Sequence, residues 1–343
     1  MRRLLNTLYV LSTDAYLGKD GENVVVRVQD EEKFRIPVHN LEGIVAFGYT
    51  GVSPALMHLC AEHRVAISFL SPGGRFLGRV VFPTSGNVLL RKRQYAAYDS
   101  ESHSLGIAKN LVVGKIANSR AVLRRFLRDH GQDGDKSEVE DATASLTRHL
   151  ESAAQSRSLD GLRGTEGEAA RAYYGVFNHL ILEPTGSLEF RGRSRRPPRD
   201  PVNALLSFLY TLLTHDCVAA LETVGLDPQV GFLHRVRPGR SSLALDLMEE
   251  LRPYLADRLA LTLINNRQVT AKEFIQKESG GVLLSEQGRR LVIDAWQRRK
   301  QQTVRHPFLK EDIEVGLLPY AQAMLLTRHL RGDLEAYPPY LLR

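Results

Sequence analysis

Two short stretches carry residue types that do chemistry: "GLRGTEGEAARAYYGVF" at 161–177 and "GFLHRVRPGRSSLALDLMEELRP" at 231–253. In the first, Leu162, Glu166, Ala169, Ala170, Tyr173 and Phe177 recur at three- and four-residue spacing. On a helix this puts Glu166 on the apolar stripe and turns Glu168 away from it. A carboxylate on a buried face must be paired, protonated or metal-bound, because desolvating it alone costs too much. A salt bridge to Arg163 or Arg171 is the plain alternative.

In the second stretch, Asp246 and Glu249 stand at i and i+3, so both carboxylates leave one side of a helix. Ser241 or Ser242 is placed to cap it, and Pro253 ends or kinks it. A first-turn acidic cluster is also what the helix dipole favours, and His234 taken alone is equally a structural histidine. Together, one histidine and two or three carboxylates form a mixed N/O set that suits Mg²⁺ or Mn²⁺, with no cysteine to recruit zinc. Arg235, Arg237 and Arg240 follow the histidine, and the 183–200 loop adds Arg191, Arg193, Arg195, Arg196 and Arg199. A cation held by acids and rimmed by guanidinium groups is what phosphodiester chemistry requires. A competing pair, His215-Asp216, would suit a metal phosphohydrolase, but the further ligands such a site needs are not placed around it.

These residues must be positioned by elements, and the chain changes texture along its length. Up to about residue 85, runs such as "NVVVRVQ", "GIVAFG" and "VAISFL" are separated by Gly, Asp and Asn, the signature of strands and turns. One helix interrupts them, with Ser53 as cap and Pro54 at its start. Beyond "NVLLRKRQYAAY", apolar stripes at helical spacing cover 105–129, 137–155, 158–180, 201–223, 242–262, 284–302 and 312–332. The expected fold is α+β in two domains: a β-rich N-terminal domain over 1–85, a hinge over 86–104, and a larger all-α domain over 105–343. The 183–200 loop is long enough to be functional or disordered. The basic runs at 91–93 and 298–300, with Arg120, Arg124, Arg125 and Arg128, read as solvated faces, some extending a nucleic-acid track.

Composition sets the outer limits. The chain has 343 residues, 43% apolar and 25% charged, with a net charge of +7. That balance fits an ordinary globular protein with a polyanionic partner, nucleic acid before membrane. Its two cysteines, Cys60 and Cys217, exclude a disulfide framework or a cysteine zinc site and fit a reducing cytoplasm. The apolar start is broken by Asn6 and Thr7 with no small-residue cleavage site, and "ALLSFLYTLLT" reads as a core helix too short to span a bilayer. No membrane association is expected. Besides a metal-dependent enzyme, the residues leave open a non-catalytic nucleic-acid-binding scaffold and a general DNA-repair nuclease.

With these motifs in view, the chain resembles the CRISPR-associated endonuclease/integrase family of the adaptation module. The likeness runs through the β-rich opening, "GLRGTEGEAARAYY", "DPVNALLSFLYTLL" and "GFLH…LALDLMEELRP", and the proline-arginine loop is similar to that of type I systems. The resemblance implies a DNA integrase whose metal ligands fall on Glu166, His234 and Glu249, with Asp246 as an auxiliary catalytic carboxylate. Glu stands at 249 where the family uses either Asp or Glu. Arg163, Tyr173, Arg193, Arg195, Arg196, Asn203, Arg235, Arg237 and Arg240 are the expected DNA contacts, with Tyr173 and Asn203 alternatively supporting the metal ligands from behind. It further implies a homodimer formed through the β-rich domain, two such dimers bridged by a dimer of a small ferredoxin-like partner. Their substrates would be double-stranded DNA fragments and CRISPR repeat DNA, joined by 3′-hydroxyl transesterification. The absence of a Ser nucleophile elbow, a reactive Cys and a nucleotide-binding loop agrees with that chemistry.

Overall fold

The valine- and isoleucine-rich runs ahead of residue 80 build two four-stranded sheets. The computed structural model describes residues 7–72, 74, 76–82, 88–130, 136–182, 188–194 and 197–342. One sheet has the order β4 (Glu31–Pro37), β3 (Asn23–Val28), β2 (Ala15–Asp20), β6 (Gly51–Val52), and the other β1 (Thr7–Val10), β5 (Gly43–Phe47), β7 (Ala66–Leu70), β8 (Phe76–Arg79). Between β3 and β4 both turn residues, Gln29 and Asp30, have positive φ, the backbone that a two-residue hairpin twisted like its strands demands. Helix α1 (Pro54–His63) starts where the serine-proline pair predicts, the Ser53 side chain accepting from the Leu56 N–H.

Strand β5 is buried along its whole length, so both faces must find a core. Ile44 and Ala46 pack with Leu17, Val24, Leu56 and Ile67 inside the β-rich region. Val45 and Phe47 face the other way into the helical core, where the Phe47 ring lies 5.9 Å from that of Phe208. The second sheet is therefore the floor on which the helices rest.

The remainder is mostly helical: α2 (Val88–Asp99), α3 (Glu101–His130), α4 (Ser137–Gln155), α5 (Leu159–Gly175), α6 (Pro201–Val224), α7 (Ser242–Arg252), α8 (Arg258–Asn265), α9 (Glu286–Lys300) and α10 (Leu318–Arg331). It is not all helix, as the sequence suggests. Two hairpins, β9 (Phe274–Gln276) with β10 (Val282–Leu284) and β11 (Thr303–Arg305) with β12 (Asp312–Glu314), interrupt it. At Pro253 the expected break takes the form of a π-helical turn, Pro253–Asp257, that joins α7 to α8, which absorbs the missing proline N–H without ending the rod. Helix α6 is long and apolar enough to cross a bilayer by length and composition, against the expectation of a run too short to do so. It is the central core helix, with Leu205, Leu206, Leu209 and Leu213 fully buried.

Candidate active site

Helices α3, α5 and α7 converge, and each brings a charged group to the meeting point. Ser158 caps α5 by accepting from the Gly161 N–H, and from that start the stripe Leu162, Ala169 and Tyr173 packs inward. Glu166 follows the same face. Helix α3 passes close behind α7 because residue 114 is glycine: a Cβ there would come within 2.9 Å of the Pro339 side chain and 3.1 Å of Glu250. The neighbouring Lys115 thereby reaches the carboxylates of both partner helices.

Lys115 is the residue the sequence reading missed. Its Nζ ion-pairs with Glu166 and lies 2.6 Å from Glu249 Oε2. The expected salt-bridge partners of Glu166, Arg163 and Arg171, are replaced by a lysine 51 residues upstream. A lysine among Leu111, Val112 and Ile116 on the buried face of α3 was the available signal, of the same kind that singled out Glu166. Glu168 does face away, with its side chain 62% exposed.

His234 completes the group from the loop before α7. Its Nε2 stands 3.9 Å from Glu249 Oε1, and its Nδ1 2.6 Å from Asp246 Oδ1. The i, i+3 spacing of Asp246 and Glu249 thus presents one carboxylate to each ring nitrogen. Asp246 has no capacity left over: it also accepts the backbone N–H groups of Phe232, Leu233 and His234 at 2.5, 2.9 and 2.9 Å. It stands behind the histidine as the clamp of its loop. Gly231 permits this wrap, since a Cβ would meet Asp246 Oδ2 at 2.7 Å. Ser241 occupies the cap position of α7 without a side-chain hydrogen bond, while Ser242 donates to the Arg235 carbonyl.

Behind Glu249 lies a second cation. Arg252 Nη1 donates to both Glu249 oxygens at 2.9 and 3.1 Å, Nη2 reaches the Tyr174 hydroxyl at 3.3 Å, and the guanidinium lies 4.1 Å from the Tyr210 ring centroid. Tyr210 in turn donates to Asp257. Burial works against the Glu249 charge, but Arg252, Lys115 and His234 outweigh it and hold the carboxyl well below the usual range. The same carboxylates, against burial, hold Lys115 in its charged form. Among the described residues, no three His, Cys, Asp or Glu side chains form a ready-made cation cage. The Lys115 ammonium holds the place between the two glutamates.

The expected DNA contacts divide sharply. Arg163 donates from Nε to the Leu233 carbonyl at 2.8 Å and from Nη1 to Asp160 at 2.6 Å, so it braces the His234 loop. Arg235 is exposed and reaches Asp160 at 3.1 Å. Arg237 is exposed and Arg240 half-buried on the same turn. Tyr173 is buried against Tyr174 and Phe177, and Asn203 is fully buried. Asn203 accepts from Arg193 Nη1 at 2.6 Å and donates to the Gly192 carbonyl at 2.7 Å, which ties the arginine loop to the start of α6. Tyr173 and Asn203 thus sit as core and loop anchors, both withdrawn from the surface. Arg195 and Arg196 lie outside the described residues. His215 and Asp216 build no metal site: His215 Nδ1 pairs with Ser68 Oγ at 2.9 Å and Asp216 with Lys300 at 3.1 Å. Lys300 is consequently buried, against the reading of 298–300 as a solvated face.

Two glutamates, an imidazole and a rim of arginines on this β-then-helical frame form a site of the kind that suits phosphodiester chemistry. The chain belongs to the Cas1 family: the family described as CRISPR associated protein Cas1 matches residues 8–298. A CRISPR-associated endonuclease Cas1 of Rhodospirillum rubrum is 56% identical over 344 residues, 99% of either chain. The structure of a Cas1 protein from Thermotoga maritima superposes with a TM-score of 0.83 at 25% identity, covering 95% of this chain and 97% of that one. A chain of a Cas6-RT-Cas1–Cas2 complex superposes with a TM-score of 0.82 at 25% identity, covering 98% of this chain and 36% of that one.

Proposed function

We propose that this chain is a divalent-metal-dependent DNA endonuclease and integrase that joins DNA fragments to CRISPR repeat DNA. Membership of the Cas1 family supports the class. One observation carries the residue-level reading: Glu166 and Glu249, from two helices, share the Lys115 ammonium, and His234 from the loop before α7 stands 3.9 Å from Glu249.

The donor set fits a divalent ion. Two carboxylates already share one positive charge, and His234 keeps Nε2 on their side because Asp246 holds Nδ1, the arrangement that orients a metal-binding imidazole. Glu166, His234 and Glu249 would hold Mg²⁺ or Mn²⁺, whose oxygen and nitrogen preferences they meet. When bound, the ion polarises the target phosphoryl group and favours ionisation of the attacking hydroxyl. The protein's own groups do the rest. Asp246 fixes the imidazole, Arg252 keeps Glu249 ionised, and Arg235 and Arg237 offer guanidinium groups to the flanking phosphates. In the joining step a fragment 3′-oxygen forms a bond to phosphorus, and the repeat strand's own 3′-oxygen leaves with its electron pair. One phosphodiester replaces another, so no nucleotide is consumed.

The family resemblance supports a homodimer that works with a small ferredoxin-like partner, and the similar chain of the Cas6-RT-Cas1–Cas2 complex supports a partner protein. Glu166→Ala and His234→Ala are expected to reduce strand transfer with Mn²⁺ to background while fold and DNA binding persist. Full activity in Glu166→Ala would overturn the assignment. Nicking without joining would mark a repair nuclease, and binding alone a scaffold.

A further inference from the structure

The ion pairs of the site are already balanced. Glu166 and Glu249 face Lys115 and Arg252, and both cations are buried. Of the other acids, Asp246 spends its oxygens on three backbone N–H groups and the His234 ring, and the buried Asp257, behind Arg252, accepts from Tyr210 while burial pushes its carboxyl toward the neutral form. A divalent ion entering between Glu166 and Glu249 must therefore do two things. It has to take the carboxylate oxygens that Lys115 now occupies, and it adds two positive charges to a site with no acid to spare. The displaced ammonium sits on α3 with its side chain only 10% exposed, too deep to be solvated freely, and a buried charge without a counter-ion is costly. Arg252 cannot yield instead, pinned by Glu249, the Tyr174 hydroxyl and the face of Tyr210.

We propose that Lys115 is a built-in competitor for the metal, a positioning residue that couples cation loading to the arrival of DNA phosphate. This rests on the metal-dependent reading above. Without DNA, Lys115 keeps the two carboxylates together and opposes the ion. A phosphodiester brought beside the site supplies the anion that both the divalent ion and the released ammonium require. Metal and DNA then strengthen each other's binding by the same factor, as linkage demands. A chain built this way stays unloaded until substrate is in place.

The experiment is a Mn²⁺ titration followed by electron paramagnetic resonance, with and without a branched duplex whose ends are dideoxy-terminated to prevent joining. In the unaltered protein, DNA is expected to tighten Mn²⁺ binding about tenfold or more, which corresponds to about 1.4 kcal/mol of coupling. Lys115→Met, which keeps the length of the side chain, is expected to bind Mn²⁺ about tenfold tighter without DNA and to lose most of the enhancement. Its metal-free form should melt at a lower temperature, and Mn²⁺ should restore it. Lys115→Gln, which retains a hydrogen-bond donor, repeats the test if the methionine variant does not fold. Unchanged or weaker metal binding in these variants, or an undiminished DNA effect, would overturn the inference and leave Lys115 a structural bridge. If Mn²⁺ binding in the unaltered protein is indifferent to Glu166→Gln, it is the metal site itself that fails.

Discussion

Nδ1 of His234 lies 2.6 Å from Oδ1 of Asp246, an acid 12 residues further along the chain. The same carboxylate gathers three consecutive backbone N–H groups, those of Phe232, Leu233 and His234. One buried side chain therefore sets the path of the loop and the orientation of the ring it carries. Because Nδ1 is engaged, Nε2 is the nitrogen left facing Glu249, 3.9 Å away.

Asp246→Asn tests this arrangement. An amide has one acceptor oxygen where the carboxylate has two, so its NH₂ would confront backbone donors, and the loop must shift. Strand transfer is expected to fall about 10–100-fold, the usual effect of losing the partner that orients a metal-binding histidine. DNA affinity should stay near that of the unaltered protein, since Arg235 and Arg237 remain exposed. Gel-shift titration beside single-turnover joining separates the two quantities. Undiminished joining would show that His234 needs no such support.

Arg252 offers a second test, on stability. Arg252→Met leaves Glu249 buried with Lys115 and the more distant His234 as partners, and removing one member of a buried pair costs about 3–5 kcal/mol. Arg252→Lys keeps the charge but gives up the contact of the second guanidinium nitrogen with Tyr174 and the stacking on Tyr210, worth about 1–2 kcal/mol when desolvated. Chemical denaturation should rank the unaltered protein above the lysine variant and that above the methionine variant. Equal stabilities would mean that the buried network contributes nothing net.

A third prediction concerns acid stability. His306 is buried, its Nδ1 accepting from the Leu309 N–H at 3.2 Å while Nε2 faces Gln322 Oε1 at 2.9 Å. Burial lowers its pKa, with Gln322 and Glu311 opposing. The folded protein then binds the proton less readily than the unfolded chain, whose histidine titrates near about 6.5. Stability from this group is present above that pH and is lost as pH falls through the lowered folded value. Thermal unfolding between pH 8 and pH 5 should show a steeper acid-side loss in the unaltered protein than in His306→Gln. Parallel curves would rule out this histidine as a source of the acid limb.

Which parts of this structure could be read from sequence follows from what local pattern encodes. Caps and periodicity are local: Ser53 before Pro54, and the stripe over 137–155 that became α4 (Ser137–Gln155), follow from a few neighbouring residues. The same periodicity put Glu166 on the inward face. It could not name Lys115, because a stripe fixes the direction a side chain takes from its own axis and not which helix lies opposite. Tyr173 follows the apolar stripe and packs against Tyr174 and Phe177, as its spacing predicts. Lys300, two residues after Arg298, turns inward to Asp216 because α9 lies over the seam between sheet and helices. The strands of β9 to β12 have three residues each, too few for a period of two to register.

Arg237 carries the last prediction, about the DNA surface. It projects from the turn after His234 and is exposed, unlike Arg163 and Arg193, whose guanidinium groups are occupied by Asp160 and the Leu233 carbonyl, and by Asn203. An arginine free to meet a phosphate releases a counter-ion on binding, so each such contact adds about 0.9 to the slope of log affinity against log salt. Arg237→Ala is expected to weaken binding of unrelated duplex sequences alike and to flatten that slope by about one contact. Arg163→Ala acts differently. It frees the Leu233 carbonyl and loosens the His234 loop, so its loss should appear in the joining rate with the salt slope intact. If instead Arg163→Ala flattens the slope and Arg237→Ala leaves it unchanged, the phosphate track runs along α5 and not along the turn.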